Sequence, residues 1–297
     1  MNGIEPPALK QPTMTQQPAQ QQQITLIIPI YNAYACLPAL LASVQNLQPA
    51  PEQVLLVEDA SSDQRVRPWL QAYLQQHQLH WTLLLHSENQ GFVASVNHAM
   101  QRASGHCLLL NQDTICEHRL VAKLKRALQA VPDVATITPF SNNAEIVSLP
   151  KLCHNNTVPD DVELMAQACV EAGPPQYPEL PTAVGFCMLI TRAAIRRLGY
   201  FDVQRFGHGY GEENDYSCRA AAVGMRNILC DDAYVAHIGN QSFVDLDLQP
   251  NEQALQRVLQ SWPNYLQQVQ QFIASDPLQP RRDVIISNYQ QMLADRH

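Results

Sequence analysis

Side chains able to hold an ion or move a proton gather at the ends of apolar runs in this 297-residue sequence. Ile24–Ile30 runs into Tyr31 and Asn32, and Gln53–Glu58 into Asp59-Ala60-Ser61-Ser62-Asp63. Trp81–Leu85 is followed by Glu88-Asn89-Gln90-Gly91-Phe92, and His106–Leu110 by Asn111-Gln112-Asp113-Thr114. Further on, Gly209-Tyr210-Gly211-Glu212-Glu213-Asn214-Asp215 sets three carboxyl groups beside two glycines, and another apolar run ends at His237. Hard oxygen donors such as Asp113 suit Mg²⁺ or Mn²⁺. Crowded carboxylates such as Glu212 and Glu213 repel one another, which drives one of them toward a pKa useful for acid–base work. The first turn after strand one carries no glycine, so neither a dinucleotide fingerprint nor a P-loop is present, and G-x-S-x-G is absent too. An edge rich in carboxylates and amides repels phosphate, so a phosphorylated ligand here requires a divalent cation.

The elements that must position these groups alternate between short apolar runs and helix-period segments. Strands are expected at 24–30, 53–58, 81–85, 106–110 and 134–138, with helices near 35–45, 66–76, 91–103 and 119–130. Continuous Leu, Val and Ile runs fit strands covered on both faces. The fold class is therefore α/β, one mostly parallel Rossmann-like sheet flanked by helices, with ligands expected beyond the carboxyl ends of the strands. Residues 140–182 break the rhythm and read as a long connection. Strands at 184–190, 226–230 and 233–237 follow, with helices at 192–198 and 212–222. An amphipathic stretch over 251–272, interrupted by Pro263, and a further helix over 281–297 form a C-terminal helical extension, with Trp262 and Tyr265 read as aromatics packed on the core.

Composition sets limits on partners. The 27 acidic residues outnumber the 19 basic ones, giving a net charge of −8, against a nucleic-acid partner. The eight cysteines form no C-x-x-C pair and sit mostly in apolar runs, as reduced core thiols do. Residues 1–23, rich in Pro and Gln, read as a disordered leader. No signal peptide or membrane span is recognisable, so the expected location is cytoplasmic, with association at the inner face of a membrane left open.

Taken in order, these motifs resemble the family-2 glycosyltransferases of the GT-A fold over residues 24–245. Pro29, Tyr31 and Asn32 match the family's first strand end, and Glu58, Asp59, Ser61 and Asp63 its second-strand acidic motif. Asn89, Gly91, Phe92 and Asn97 match N-x-G-F-x-x-x-x-N, and Asn111-Gln112-Asp113 the metal motif. Glu212, Glu213 and Asp215, with Arg219, resemble the acceptor-side acidic motif, and His237 with Ser242-Phe243 the late histidine motif. The resemblance implies an inverting transfer of a sugar from a nucleoside-diphosphate sugar to a saccharide or lipid-linked saccharide acceptor, in bacterial polysaccharide or glycan synthesis. It divides the domain into a nucleotide-sugar half, 24–138, and an acceptor half, 139–245, with 246–297 as the extension. It assigns Pro29, Tyr31, Asn32, Glu58, Asp59, Asn89, Gly91, Phe92, Asn111 and Gln112 to the donor, with Glu58 on the base. Asp113 and His237 would ligate Mn²⁺ or Mg²⁺, Glu213 would be the general base, and Glu212 and Asp215 catalytic or acceptor-binding groups.

Each assignment has a plainer counterpart. Asp113, Ser62 and Asp63 could serve as helix caps, the acids of 212–215 could answer the helix dipole, and His237 could be a satisfied strand-end histidine. At the level of function the alternatives are an inactive sugar-binding scaffold, a nucleotidyltransferase, or a glycosidase, which would need neither metal nor nucleotide.

Overall fold

In the computed structural model, residues 22–239 and 252–296 are described. The first strand, β1 (Ile24–Ile30), is buried along its whole length. Its aliphatic residues serve two cores, with Leu26, Ile28 and Ile30 on one sheet face and Ile27 on the other. β1 pairs in parallel with β2 (Gln53–Glu58) on one side and β4 (His106–Leu110) on the other, and β2 pairs with β3 (Thr82–Leu85). Helices α1 (Leu37–Gln45), α2 (Val66–Gln76) and α3 (Phe92–Met100) make the crossovers. Chain order reverses between β1 and β4, so their carboxyl ends flank a switch-point crevice.

Pro29 lies in this central strand at no cost to the ladder. Ile30 O accepts from Asp59 N on the β2 side, so by alternation Pro29 faces β4, whose pairing has already ended at Ile27. Beyond that point the Gln112 side chain replaces the missing strand: its Oε1 accepts from Tyr31 N, and its Nε2 donates to Tyr31 O, both at 2.8 Å.

The second half of the sheet is mixed. β4 pairs antiparallel with β7 (Cys187–Ile190), β7 with β6 (Val134–Phe140), and β6 runs parallel to β8 (Arg226–His237). The sequence suggests two strands where β8 is one. The register jumps from Pro139↔Cys230 to Phe140↔Tyr234, and the extra residues include two buried acids. Asp231 accepts from Gln176 N and Tyr177 N, and Asp232 pairs with Arg126. Past this irregularity β8 pairs antiparallel with the three-residue strand β5 (Thr114–Cys116), in register Thr114↔His237.

Residues 140–182 are not a bare connection. They contain a helix, α5 (Val162–Glu171), capped by Asp161, whose carboxylate accepts from Leu164 N. Its buried Leu164, Met165, Ala168 and Cys169 do follow a helical period, but the flanking Pro and Asn residues obscure it in sequence. The helix α4 (Leu120–Ala130) precedes β6; α6 (Arg192–Leu198), the short α7 (Val203–Phe206) and α8 (Glu212–Ala222) precede β8. Three C-terminal helices follow: α9 (Glu252–Ser261), α10 (Tyr265–Ser275) and α11 (Gln279–Ala294). They join the cores through Val258 and Tyr265 on one face and Leu278 and Ile285 on the other. All eight cysteines are free, and only Cys153 is exposed. No helix among the described residues is long and apolar enough to cross a membrane. The leader, apart from Gln22 and Gln23, and the Ser242-Phe243 part of the histidine motif lie outside the described residues.

Candidate active site

The crevice between β1 and β4 holds a small pocket walled by Pro29, Tyr31, Asp59, Asn89, Gly91, Phe92, Asn111 and Gln112, together with Ile30, Ser95 and His208. Asp59 fixes its rim. Its Oδ1 accepts from Gln90 N and from His86 Nδ1, and its Oδ2 accepts from Gly91 N. Gly91 takes φ +83°, and a Cβ there would come 2.6 Å from His208 Nδ1, so glycine is required for the approach of the two loops. Two of the residues assigned to the donor stand outside this wall. Glu58 gives one oxygen to Ser61 N and the other to Arg67 Nε, at 2.6 and 2.7 Å, so its carboxylate braces the turn after β2. Asn32, in the left-handed region at φ +55°, accepts from Asp63 N and meets Ser62, tying the first two strand ends together. Ile30, Ser95 and His208 are wall residues that the motifs did not assign; the only signal for His208 is its place between two glycines.

Through shared Phe92 and Asn111 the pocket opens into a cleft of about 470 Å³. The β5–β8 ladder sets its floor. Because Thr114 pairs with His237, Asp113 and His237 are brought side by side, with Ile238 N donating to Asp113 O. His237 Nδ1 lies 2.7 Å from Asn143 O, a pure acceptor, so Nδ1 carries the proton and the Nε2 lone pair faces Asp113 Oδ1 at 3.4 Å. Burial opposes the imidazolium, but the Asp113 carboxylate and the Asn143 carbonyl outweigh it and hold His237 above its ordinary pKa. Phe186 stacks on the ring from the other side.

Among the described residues seven buried side-chain polar atoms lack a hydrogen-bond partner; three of them, Asp113 Oδ1, Glu212 Oε2 and Glu213 Oε2, belong to residues lining this one cleft. Buried acceptors without donors are rare, and a cluster of them marks a place where a cation or a hydroxyl belongs. An acceptor oxygen facing an imidazole lone pair fits a divalent cation with two protein ligands, the rest of its shell coming from water and phosphate. Among the described residues no third His, Cys, Asp or Glu joins the pair.

Glu212 and Glu213 open α8 behind Gly211, whose φ of +94° turns the chain into the helix. Burial raises both carboxyl groups. Glu213 reaches about 7, with the Glu145 charge adding to the effect, and Glu212 is driven well above its ordinary value by burial and by Glu213. Gly185 lies against the Glu213 side chain, where a Cβ would sit 3.8 Å from its carboxyl carbon. Tyr210, at φ +68°, is pushed to about 12 by burial and by the charges of Glu212, Glu213 and Asp113, which places it among all three. Glu145, in the irregular stretch after β6, carries no motif that could have marked it.

Asp215 is turned away from the cleft. Its Oδ1 accepts from Arg205 Nη1 and Trp262 Nε1, both at 2.9 Å, and its Oδ2 from Arg219 Nε at 2.8 Å. Arg205 also donates to Arg257 O, and Arg219 to Leu198 O and Tyr200 O. This buried carboxylate therefore binds α7, α8 and the α9–α10 corner into one unit. Replacing Asp215 by Ala leaves two arginines without their anion and is expected to cost about 3 kcal/mol, read from the midpoint of urea unfolding.

The family model "Glycosyl transferase family 2" matches residues 25–199, more than half of the chain. No curated protein matches it. Among solved structures, that of GalNAc-T7 with UDP, GalNAc and Mn²⁺ has a TM-score of 0.61 at 11% identity, covering 85% of this chain and 57% of its own. The chain thus corresponds to little more than half the length of that protein. Mannosyltransferase PcManGT from Pyrobaculum calidifontis, in complex with GDP-Man and Mn²⁺, has a TM-score of 0.54 at 17% identity, covering 97% of this chain and 92% of its own. At these identities the likeness is one of fold, the GT-A arrangement of a mainly parallel sheet between helices. With the strand-end motifs and the matched stretch in agreement, the chain belongs to glycosyl transferase family 2.

Proposed function

We propose that the protein is a metal-dependent, inverting glycosyltransferase that moves a sugar from a nucleoside-diphosphate sugar to an acceptor hydroxyl. The observation that carries this reading is the buried, partnerless Asp113 Oδ1, which faces the His237 lone pair in the same cleft as Glu213. The nucleoside lies in the β1–β4 pocket, with its diphosphate directed past Asn111 toward Asp113. Asp113 and His237 hold Mn²⁺ or Mg²⁺, which supplies charge neutralisation for the departing diphosphate. Glu213 takes the proton of the acceptor hydroxyl as that oxygen attacks the anomeric carbon in a single displacement, with Glu212 beside it. The donor half is residues 24–138 and the acceptor half 139–245. The two similar structures with UDP and Mn²⁺, and with GDP-Man and Mn²⁺, support the donor class. The place in polysaccharide or glycan synthesis and a saccharide or lipid-linked acceptor rest on the family resemblance, and a cytoplasmic location on the eight free cysteines.

Calorimetric titration of UDP, GDP and dTDP, with and without Mn²⁺, tests the reading. One diphosphate is expected to bind in the micromolar range with Mn²⁺ and at least about tenfold more weakly without it. Absence of binding by all three to folded protein, in either condition, overturns the transferase reading in favour of an inactive scaffold.

A further inference from the structure

The residues lining the cleft are of two unlike kinds. Asp113, Glu145, Glu212 and Glu213 bring carboxyl groups, while Leu255 from α9 and Leu266 and Val269 from α10 contribute apolar side chains to the same cavity. Leu266 is 37% exposed, a large apolar side chain left open, whereas its neighbour Tyr265 is buried in the core. Among the described residues no lysine or arginine lines the cleft. The helices that carry these apolar residues lie beyond the stretch matched by the family model, which ends at residue 199. They are also fixed in place relative to Glu213, because the Trp262–Asp215 hydrogen bond joins the α9–α10 corner to α8.

We infer that the acceptor is an uncharged glycoside with an apolar aglycone, alkyl or aromatic, seated against Leu255, Leu266 and Val269 while its hydroxyl faces Glu213. The inference rests on the transferase reading above. An apolar group in this place removes the exposed Leu266 surface from water, a gain that a bare saccharide cannot provide. A phosphate on the acceptor would enter a cavity holding four carboxyl groups and, among the described residues, no protein cation other than His237. The donor's phosphates have the Asp113–His237 pair to receive a metal ion; an acceptor phosphate has no second such pair. Leu266 is therefore a specificity-determining residue for the acceptor.

The test measures nucleoside-diphosphate release from the donor with matched acceptors. Methyl and octyl glycosides of glucose, galactose, mannose and N-acetylglucosamine are used below micellar concentration, together with the corresponding sugar 1-phosphates. For the sugar that is accepted, the octyl glycoside is expected to show a KM at least about tenfold below the methyl glycoside, the effect of burying about two methylenes. The sugar 1-phosphate should be no better than the methyl glycoside. Leu266→Asn should bring the two alkyl glycosides within about threefold of each other, and Leu266→Met should restore the difference. Equal KM values, an octyl preference that survives Leu266→Asn, or a preferred 1-phosphate each overturn the inference while donor turnover persists. Loss of all donor turnover, including hydrolysis by water, in folded wild-type protein overturns the transferase reading and this inference with it.

Discussion

Glu213→Gln is expected to lower kcat by about a thousandfold while leaving Mn²⁺-dependent nucleoside-diphosphate binding close to that of the wild type. The amide keeps the shape of the side chain but cannot take a proton, so only the step that needs a base is lost. With a carboxyl pKa of about 7, the wild-type kcat/KM should rise about tenfold per pH unit below pH 7 and level off above it. A cation bound at Asp113 and His237 favours the carboxylate and moves the inflection down, not up. The residual activity of the variant should show no such rise. Stability supplies an independent readout with the opposite sign. Because the folded chain binds this proton more tightly than the unfolded one, the stability that it contributes is complete below the ordinary glutamate pKa and is lost as pH rises through about 7. Glu212, also raised, acts in the same direction. Thermal unfolding of the wild type should therefore weaken from pH 4.5 to 7.5, and Glu213→Gln should unfold at the higher temperature of the two above pH 7. An activity loss accompanied by a lower unfolding temperature there would point to damage of the α8 turn instead of a missing base.

The sequence is most informative where local chemistry alone decides the outcome. Strand β1 is legible because seven consecutive residues, ITLIIPI, suit a strand covered on both faces, and the turn after it because Asn32 tolerates a positive φ. Strand ends at one sheet edge then follow from parallel topology, which is why Asp59, Gly91, Asn111 and Asp113 fall on the crevice. What the sequence leaves open depends on contacts distant along the chain. Glu58 has the right type and position for a base-binding carboxylate, but Arg67, nine residues on, takes one of its oxygens. Asp215 looks like a third acid of the motif until Arg205 on α7 and Trp262 in the α9–α10 corner claim it. The C-terminal helices carry an apolar spacing that speaks for burial but not for the partner surface, so their place on the cleft that holds Glu213 appears only in three dimensions. β5, at three residues, is too short to have a pattern of its own, yet it sets the Asp113–His237 contact.

That contact gives the second large effect, since Asp113→Asn should separate binding from stability. In the wild type Asp113 Oδ1 is buried without a hydrogen-bond donor and faces the lone pair of His237 Nε2 at 3.4 Å. Two acceptors in that arrangement are unfavourable unless a proton or a metal ion lies between them, and the raised His237 pKa is the proton's share of that relief. An asparagine amide can donate to Nε2 and fill the vacant interaction, so without metal the variant should unfold at the same temperature as the wild type or a higher one. The same substitution removes one of the two protein ligands proposed for the cation. Loss of groups that only support metal ligands commonly costs ten- to a hundredfold in affinity, so losing the ligand itself should weaken Mn²⁺-dependent nucleoside-diphosphate binding by at least about a hundredfold. Calorimetry and thermal unfolding on one preparation read both quantities. Unchanged Mn²⁺-dependent binding would remove Asp113 from the metal site. Reduced binding accompanied by a lower unfolding temperature without metal would mean that the carboxylate has a structural donor and that its buried oxygen does not hold a cation.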